Sequence, residues 1–76
     1  MMARIWTKVN RKNLEFYLKE GYMVPRIAEK MGVSAQAIYG EIKKTLTEEE
    51  YRERRYVKYS AERAIAKEIS QIQGEE

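Results

Sequence analysis

Hydrophobic residues in the first half of the chain recur every three or four positions and are interrupted by glycine. Leu14, Tyr17 and Leu18 share one face of a first helix, which Asn10 is expected to cap at its N-terminus. Gly21 suits the position that follows the end of this helix. The pattern predicts three successive helices, over residues 11–20, 25–31 and 35–44.

The second and third predicted helices have their own start and stop signals. Pro25 suits the first position of a helix, where its missing N–H costs nothing, and Gly32 ends the second helix. Ser34 is expected to cap the third helix. Each helix then has one apolar and one polar face. The inward positions on these two helices are Ile27, Ala28, Met31, Ile38 and Ile42.

A single long helix is predicted over residues 47–73. Residues 47–50 read Thr-Glu-Glu-Glu, a capping box in which the first and last side chains bond each other's backbone N–H groups. The apolar positions of the helix form one stripe, with Tyr56 and Tyr59 outside it. Two interpretations of this stripe stay open. It forms a seam between two copies of the chain, or it is buried within one chain. The stripe consists of Val57, Ala61, Ala64, Ile65, Ile69 and Ile72.

These elements divide the chain of 76 residues into four parts within one domain. Residues 1–9 form a short basic arm, and residues 10–46 form a compact helical unit. Residues 47–73 form the long helix, and residues 74–76 are expected to fray. Because a core of this size supplies little stability without disulfides, we expect the protein to be a homodimer.

The composition narrows the classes of function. The chain has no Cys and no His, which excludes disulfides and the usual zinc and iron sites. No apolar run approaches the roughly 20 residues of a membrane-spanning helix, and the N-terminus lacks the apolar stretch of a signal peptide. We therefore expect a cytoplasmic protein, not an enzyme, with no metal, no cofactor and no small-molecule substrate.

Basic residues are concentrated in the first part of the chain. Residues 1–47 hold nine basic and four acidic side chains, whereas residues 48–76 hold six and eight. The first part is therefore the one that would face an anionic partner. In the second part, Arg52 lies four residues after Glu48, and Arg54 lies four residues after Glu50. This spacing favours a solvated, self-paired face over a contact with DNA.

The stretch from Pro25 to Ile42 has the steric features of two short helices joined by a tight turn. Ala28 is small where the helices cross, Gly32 permits positive φ, and Val33 fills the space beneath the turn. Together with Ile38 and Ile42, these residues resemble the helix-turn-helix of Cro-type phage repressors and of insertion-sequence transposase N-terminal domains. The resemblance covers residues 10–45 and includes no transposase catalytic domain.

The resemblance implies an all-α fold, with a three-helix helix-turn-helix unit followed by the long C-terminal helix. It also implies that the first residues of the third helix enter the major groove of DNA. Gln36 is the strongest candidate for a base contact, because its amide can form hydrogen bonds with N6 and N7 of one adenine at the same time. The candidate base contacts are Ser34, Ala35, Gln36, Tyr39 and Gly40.

Basic side chains around this unit are candidates for phosphate contacts, which give affinity without sequence choice. On the helical unit they are Arg26, Lys30, Lys43 and Lys44. A second cluster could reach along the DNA as an arm, or could be a solvated tail. It comprises Arg4, Lys8, Arg11 and Lys12.

The function predicted from the sequence is sequence-specific binding of double-stranded DNA by a small transcriptional regulator of phage or mobile-element origin. Two alternatives stay open. One is a protein-interaction module that binds a regulator or an assembly protein. The other is an accessory factor in DNA packaging or recombination. Salt-dependent binding of duplex DNA separates the first alternative from the DNA-binding functions.

Overall fold

The computed structural model describes residues 6–74, and their side chains as far as Ile69. All regular structure within residues 6–74 is helical, which confirms the all-α prediction. The elements are α1 (Lys8–Lys19), α2 (Val24–Met31), α3 (Ala35–Thr45), α4 (Glu48–Arg52), a 3₁₀ turn (Tyr56–Lys58) and α5 (Ala61–Gly74).

Side-chain caps set the starts of α1, α3, α4 and α5. The Ser34 hydroxyl accepts a hydrogen bond from the N–H of Ala37 at 3.1 Å, which confirms the predicted cap of α3. Thr47 and Glu50 form the predicted capping box of α4. The predicted cap at Asn10 is wrong, because Thr7 accepts from the Asn10 N–H. Helix α1 consequently begins within the segment assigned to an N-terminal arm.

The core lies where α1, α2 and α3 meet. Leu14, Ile27, Ile38 and Ile42 are fully buried there, as their helical spacing predicts. Ala28 is 9% exposed in this cluster, and the turn after it is closed by Gly32, whose φ is +70°. The helix-turn-helix unit therefore forms from local signals that the sequence contains.

The predicted continuous helix over 47–73 is wrong. Helix α4 ends after Arg52, and the chain turns through Arg54 before the 3₁₀ turn and α5. Tyr59 and Ala61 are both buried. Since they would lie about 200° apart on one helix, a single helix could not bury both against the same core. The break at Ser60 allows this, and the Ser60 hydroxyl caps α5 by accepting from the Arg63 N–H at 3.0 Å.

Three of the six residues of the predicted apolar seam do not belong to a free helix face. Ala61 and Ala64 are buried, because α5 packs against α1 and α3 of the same chain. Val57 lies in the 3₁₀ turn, outside α5. Ile65 is half-buried and Ile69 is 50% exposed, so these two residues remain accessible on α5. The side chain of Ile72 lies outside the described residues.

Candidate nucleic-acid interface

Helix α3 has one face turned into the core and one turned to solvent. The outer face holds Gln36, Gly40 and Lys43, all exposed, and Tyr39, which is 36% exposed. These positions follow the spacing i, i+3, i+4 and i+7, so they share one side of the helix. The structure thus brings together four of the predicted DNA-contact residues on one accessible surface.

The other two predicted base contacts lie at the start of α3 and differ in their availability. Ser34 is exposed, but its hydroxyl already accepts the capping hydrogen bond from Ala37. Ala35 is half-buried against the core. Both residues lie at the edge of the outer face. Ser34 can still donate its O–H, since the cap uses only a lone pair of its oxygen, whereas the side chain of Ala35 has no polar atom.

The inner face of α3 carries a buried carboxylate. Glu41 is 2% exposed and Arg11, on α1, is 3% exposed. Arg11 Nε donates to Glu41 Oε2 at 2.9 Å, and the Tyr59 hydroxyl donates to the same oxygen at 3.0 Å. Burial raises the pKa of Tyr59 far above its usual range, so its hydroxyl keeps the proton that it donates.

This network joins α3 to two other parts of the fold. The same Arg11 side chain reaches Glu68 on α5, where Nη1 lies 3.1 Å from Oε1. A charge buried in a protein is tolerated only with partners in good geometry. Together with the buried Ile38 and Ile42, the network holds this face of α3 against the rest of the fold.

The network corrects the prediction that Arg11 belongs to a DNA-binding arm. Its guanidinium is enclosed between two carboxylates and is not available to a phosphate. Lys8 and Lys12 are exposed on α1, but they line a groove with Ile65 and Ile69 of α5. They are therefore grouped with α5 rather than with the outer face of α3. Arg4 lies outside the described residues.

The four basic residues predicted to contact phosphates on the helical unit are all exposed. Lys30 lies over the ring of Tyr22, with Nζ 5.3 Å from the ring centroid. Lys44 Nζ lies 3.9 Å from Glu41 Oε1. Arg26 and Lys43 form no ion pair with another described residue. These two side chains have the greatest freedom to meet an anion.

Tyrosines beside the outer face were not predicted as part of the site. The ring centroids of Tyr39 and Tyr56 are 6.2 Å apart, and those of Tyr51 and Tyr56 are 5.9 Å apart. These rings line an open cleft of about 580 Å³ that extends to Pro25 at the start of α2 and includes Arg54. The only signal in the sequence was that Tyr56 lay off the apolar stripe.

The predicted pairing of Glu50 with Arg54 is also replaced by a tertiary contact. Arg63 Nη2, on α5, lies 2.6 Å from Glu50 Oε1. The hydrogen bond from Arg63, followed by that from the Thr47 N–H, lowers the pKa of Glu50 to about 2. The predicted pair of Glu48 and Arg52 is present, at 3.9 Å and well exposed. Arg54 is thereby left without its expected carboxylate.

The fold and the accessible outer face of α3 define a helix-turn-helix protein. Over its whole length, residues 1–76, the chain matches the model of the UPF0122 family, helix-turn-helix proteins described as YlxM / p13 like, and it belongs to that family. No curated protein and no solved structure matches the chain. Within the described residues, no helix is long and apolar enough to cross a membrane.

Proposed function

We propose that the protein binds double-stranded DNA in a sequence-specific manner, with the outer face of α3 in the major groove. The observation that carries the proposal is the contrast across α3. One face is held by buried hydrogen bonds to α1 and to Tyr59, and the opposite face presents Gln36, Tyr39, Gly40 and Lys43 to solvent. Membership of a helix-turn-helix family supports the same use of α3.

Each outer-face residue has a chemical role in this proposal. The Gln36 amide would pair with N6 and N7 of an adenine. Gly40 leaves the helix surface without a side chain, so a base or sugar can approach the backbone closely. Lys43 and Arg26 would contact phosphates, which position the helix without reading sequence. Both are exposed and free of ion pairs with the other described residues.

Selection of bound sequences from a random duplex pool tests the proposal. We expect a short enriched motif and an affinity that falls steeply as salt rises. Lys43→Ala should weaken binding to all duplexes about equally. The matched control is Lys67→Ala, which removes an exposed lysine from α5 and should leave affinity unchanged. Failure to bind any duplex at low salt would overturn the proposal and favour a protein-interaction module.

Sequence-selective binding in this experiment would support a role as a small transcriptional regulator, with phage or mobile-element origin as part of the proposal. Binding without an enriched motif would instead favour an accessory factor in DNA packaging or recombination. The two outcomes differ because a regulator must discriminate its site from the large excess of other genomic sequence.

Pairing of two copies completes the proposal, since one helix-turn-helix reads only a few base pairs. The seam is smaller than the sequence pattern suggested and is centred on Ile65 and Ile69 of α5. Light scattering of the free protein at micromolar concentration should give a dimer mass. Ile69→Asp should give a folded monomer, because this side chain is half exposed within one chain. A monomer mass for the unchanged protein would overturn the pairing.

A further inference from the structure

Arg54 has a backbone conformation that is unusual for its residue type. Its φ is +59°, the left-handed region, and it is the only non-glycine residue in the described part of the chain with positive φ. The Arg54 N–H donates to the Tyr51 carbonyl and the Arg55 N–H donates to the Glu50 carbonyl. This is the Schellman pattern at the end of α4, in which the left-handed position is usually glycine.

Arg54 also differs from the neighbouring arginines in its charge partners. Arg52 lies 3.9 Å from Glu48, and Arg55 lies 2.7 Å from Glu53. For Arg54, no carboxylate among the described residues comes within ion-pair distance. An arginine has therefore been placed where glycine would fit better, and its guanidinium is not used to hold the fold together.

The position of Arg54 is next to the outer face of α3. It lines the tyrosine cleft with Tyr39 and Tyr56, and it also lines an adjoining open cleft of about 470 Å³ with Lys43. Tyr39 and Lys43 are themselves on the outer face. Arg54 thus lies along the side of α3, where the sugar-phosphate backbone bordering a major groove would pass if α3 entered that groove.

We propose that Arg54 binds a phosphate of the DNA strand that borders the groove read by α3, with the tyrosine cleft packing against the adjacent sugar. This inference rests on the proposed function and extends its contact surface to the loop after α4. A guanidinium offers paired donors that match two phosphate oxygens. Unusual backbone conformations are retained most often at functional sites, and here the left-handed turn fixes the direction from which the side chain leaves the chain.

The first test compares two arginines of the same loop. Arg54→Gln should weaken binding to the selected duplex about tenfold and reduce the slope of log affinity against log salt by about 0.9. Arg55→Gln is the matched control, with the same loss of charge one residue away. Arg55 is paired with Glu53 and lines a separate cleft with Glu49 and Lys58, so its replacement should change affinity less than about twofold.

A second test separates contact with DNA from a role in folding. Arg54→Gly relieves the left-handed conformation, so we expect a higher melting temperature together with the same loss of DNA affinity as Arg54→Gln. Duplexes in which single phosphates are replaced by neutral methylphosphonates then locate the contact. At one position, the methylphosphonate should weaken DNA binding by the unchanged protein but should not weaken binding by Arg54→Gln any further.

The outcomes distinguish this inference from the function on which it rests. If the unchanged protein binds DNA but Arg54→Gln behaves like Arg55→Gln, the phosphate contact is wrong and the proposed function stands. If no methylphosphonate position loses its effect in Arg54→Gln, the arginine acts only as a distant charge, which also overturns the contact. Failure of the unchanged protein to bind duplex DNA overturns both proposals.

Discussion

The two faces of α3 use charged and polar residues in opposite ways. On the inner face, Glu41 is enclosed by Arg11 and Tyr59 and is almost inaccessible to water. On the outer face, Lys43 is exposed and forms no ion pair with another described residue. Glu41 and Lys43 are two residues apart on the same helix, yet one holds the helix in place and the other is available to a partner.

The contrast shows why a charged residue in a helix-turn-helix cannot be assigned a role from its charge alone. Arg11 belongs to a basic segment of the sequence but lies inside the fold, where it neutralises a carboxylate of α3. Arg54 belongs to a mixed-charge segment but lies beside the outer face without a carboxylate. The neighbours supplied by other helices decide which arginine can reach an anion.

Removal of the buried Arg11 cation should disrupt the network on the inner face of α3 and have the largest effect on stability. Arg11→Met leaves the buried Glu41 with the hydrogen bond from the Tyr59 hydroxyl and a long contact to Lys44, and we expect it to lower the free energy of unfolding by about 3–5 kcal/mol. Urea denaturation followed by circular dichroism measures this. The double variant Arg11→Met, Glu41→Met should recover part of the loss, because no uncompensated charge remains fully buried, although the Tyr59 hydroxyl then lacks its acceptor. A double variant no more stable than Arg11→Met would mean that packing, not charge, is responsible.

Replacement of Gln36 should change recognition on the outer face without changing the fold. Gln36→Ala should reduce discrimination for adenine at one position by about 1–3 kcal/mol and change stability by no more than about 0.5 kcal/mol. Affinities for the selected duplex and its single-base variants test the first part, and urea denaturation tests the second. An equal loss on every duplex would show that Gln36 does not read a base.

Gly40 tests whether the outer face is constrained by the fold. A Cβ at this position meets nothing within 4 Å, so Gly40→Ala should stabilise α3 by about 0.5–1 kcal/mol through the lower entropy of the unfolded chain. The reverse change Ala37→Gly in the same helix should destabilise it. Both are measured by thermal unfolding. A less stable Gly40→Ala protein would show that the glycine is required by the fold itself.

The pair of Glu50 and Arg63 extends the comparison to a partly exposed contact, and we expect the smallest effect there. The pKa of Glu50 is about 2 in the folded protein and 4.5 ordinarily. Its contribution to stability is therefore present above pH 4.5 and is lost as the pH falls from 4.5 towards 2. Glu50→Gln should make unfolding less dependent on pH in this window. Glu48→Gln, which alters a well-exposed carboxylate, is the control; an equal change there would contradict the assignment.

Local signals in the sequence are sufficient to predict the helix-turn-helix and the start of the helix that follows it. The caps at Ser34 and Thr47, the left-handed turn at Gly32 and the inner positions Ile38 and Ile42 were all predicted and are all present. These features depend on residues within one or two turns of each other, so their spacing along the chain is sufficient. The same periodicity placed Gln36 and Lys43 on the exposed side of α3.

Which helix faces meet, and which charged side chains stay unpaired, depends on contacts between residues that are distant in the sequence. Arg11 and Glu41 are 30 positions apart, and no spacing rule connects residues at that distance. The break at Ser60 depends on burying Tyr59 and Ala61 against the same core, which a helical pattern cannot reveal. Glu50 pairs with Arg63 of α5, so Arg54 does not have the carboxylate that its local spacing predicted. Local preference fixes an element's start and its apolar side, but burial and pairing depend on neighbours that only the folded chain brings together.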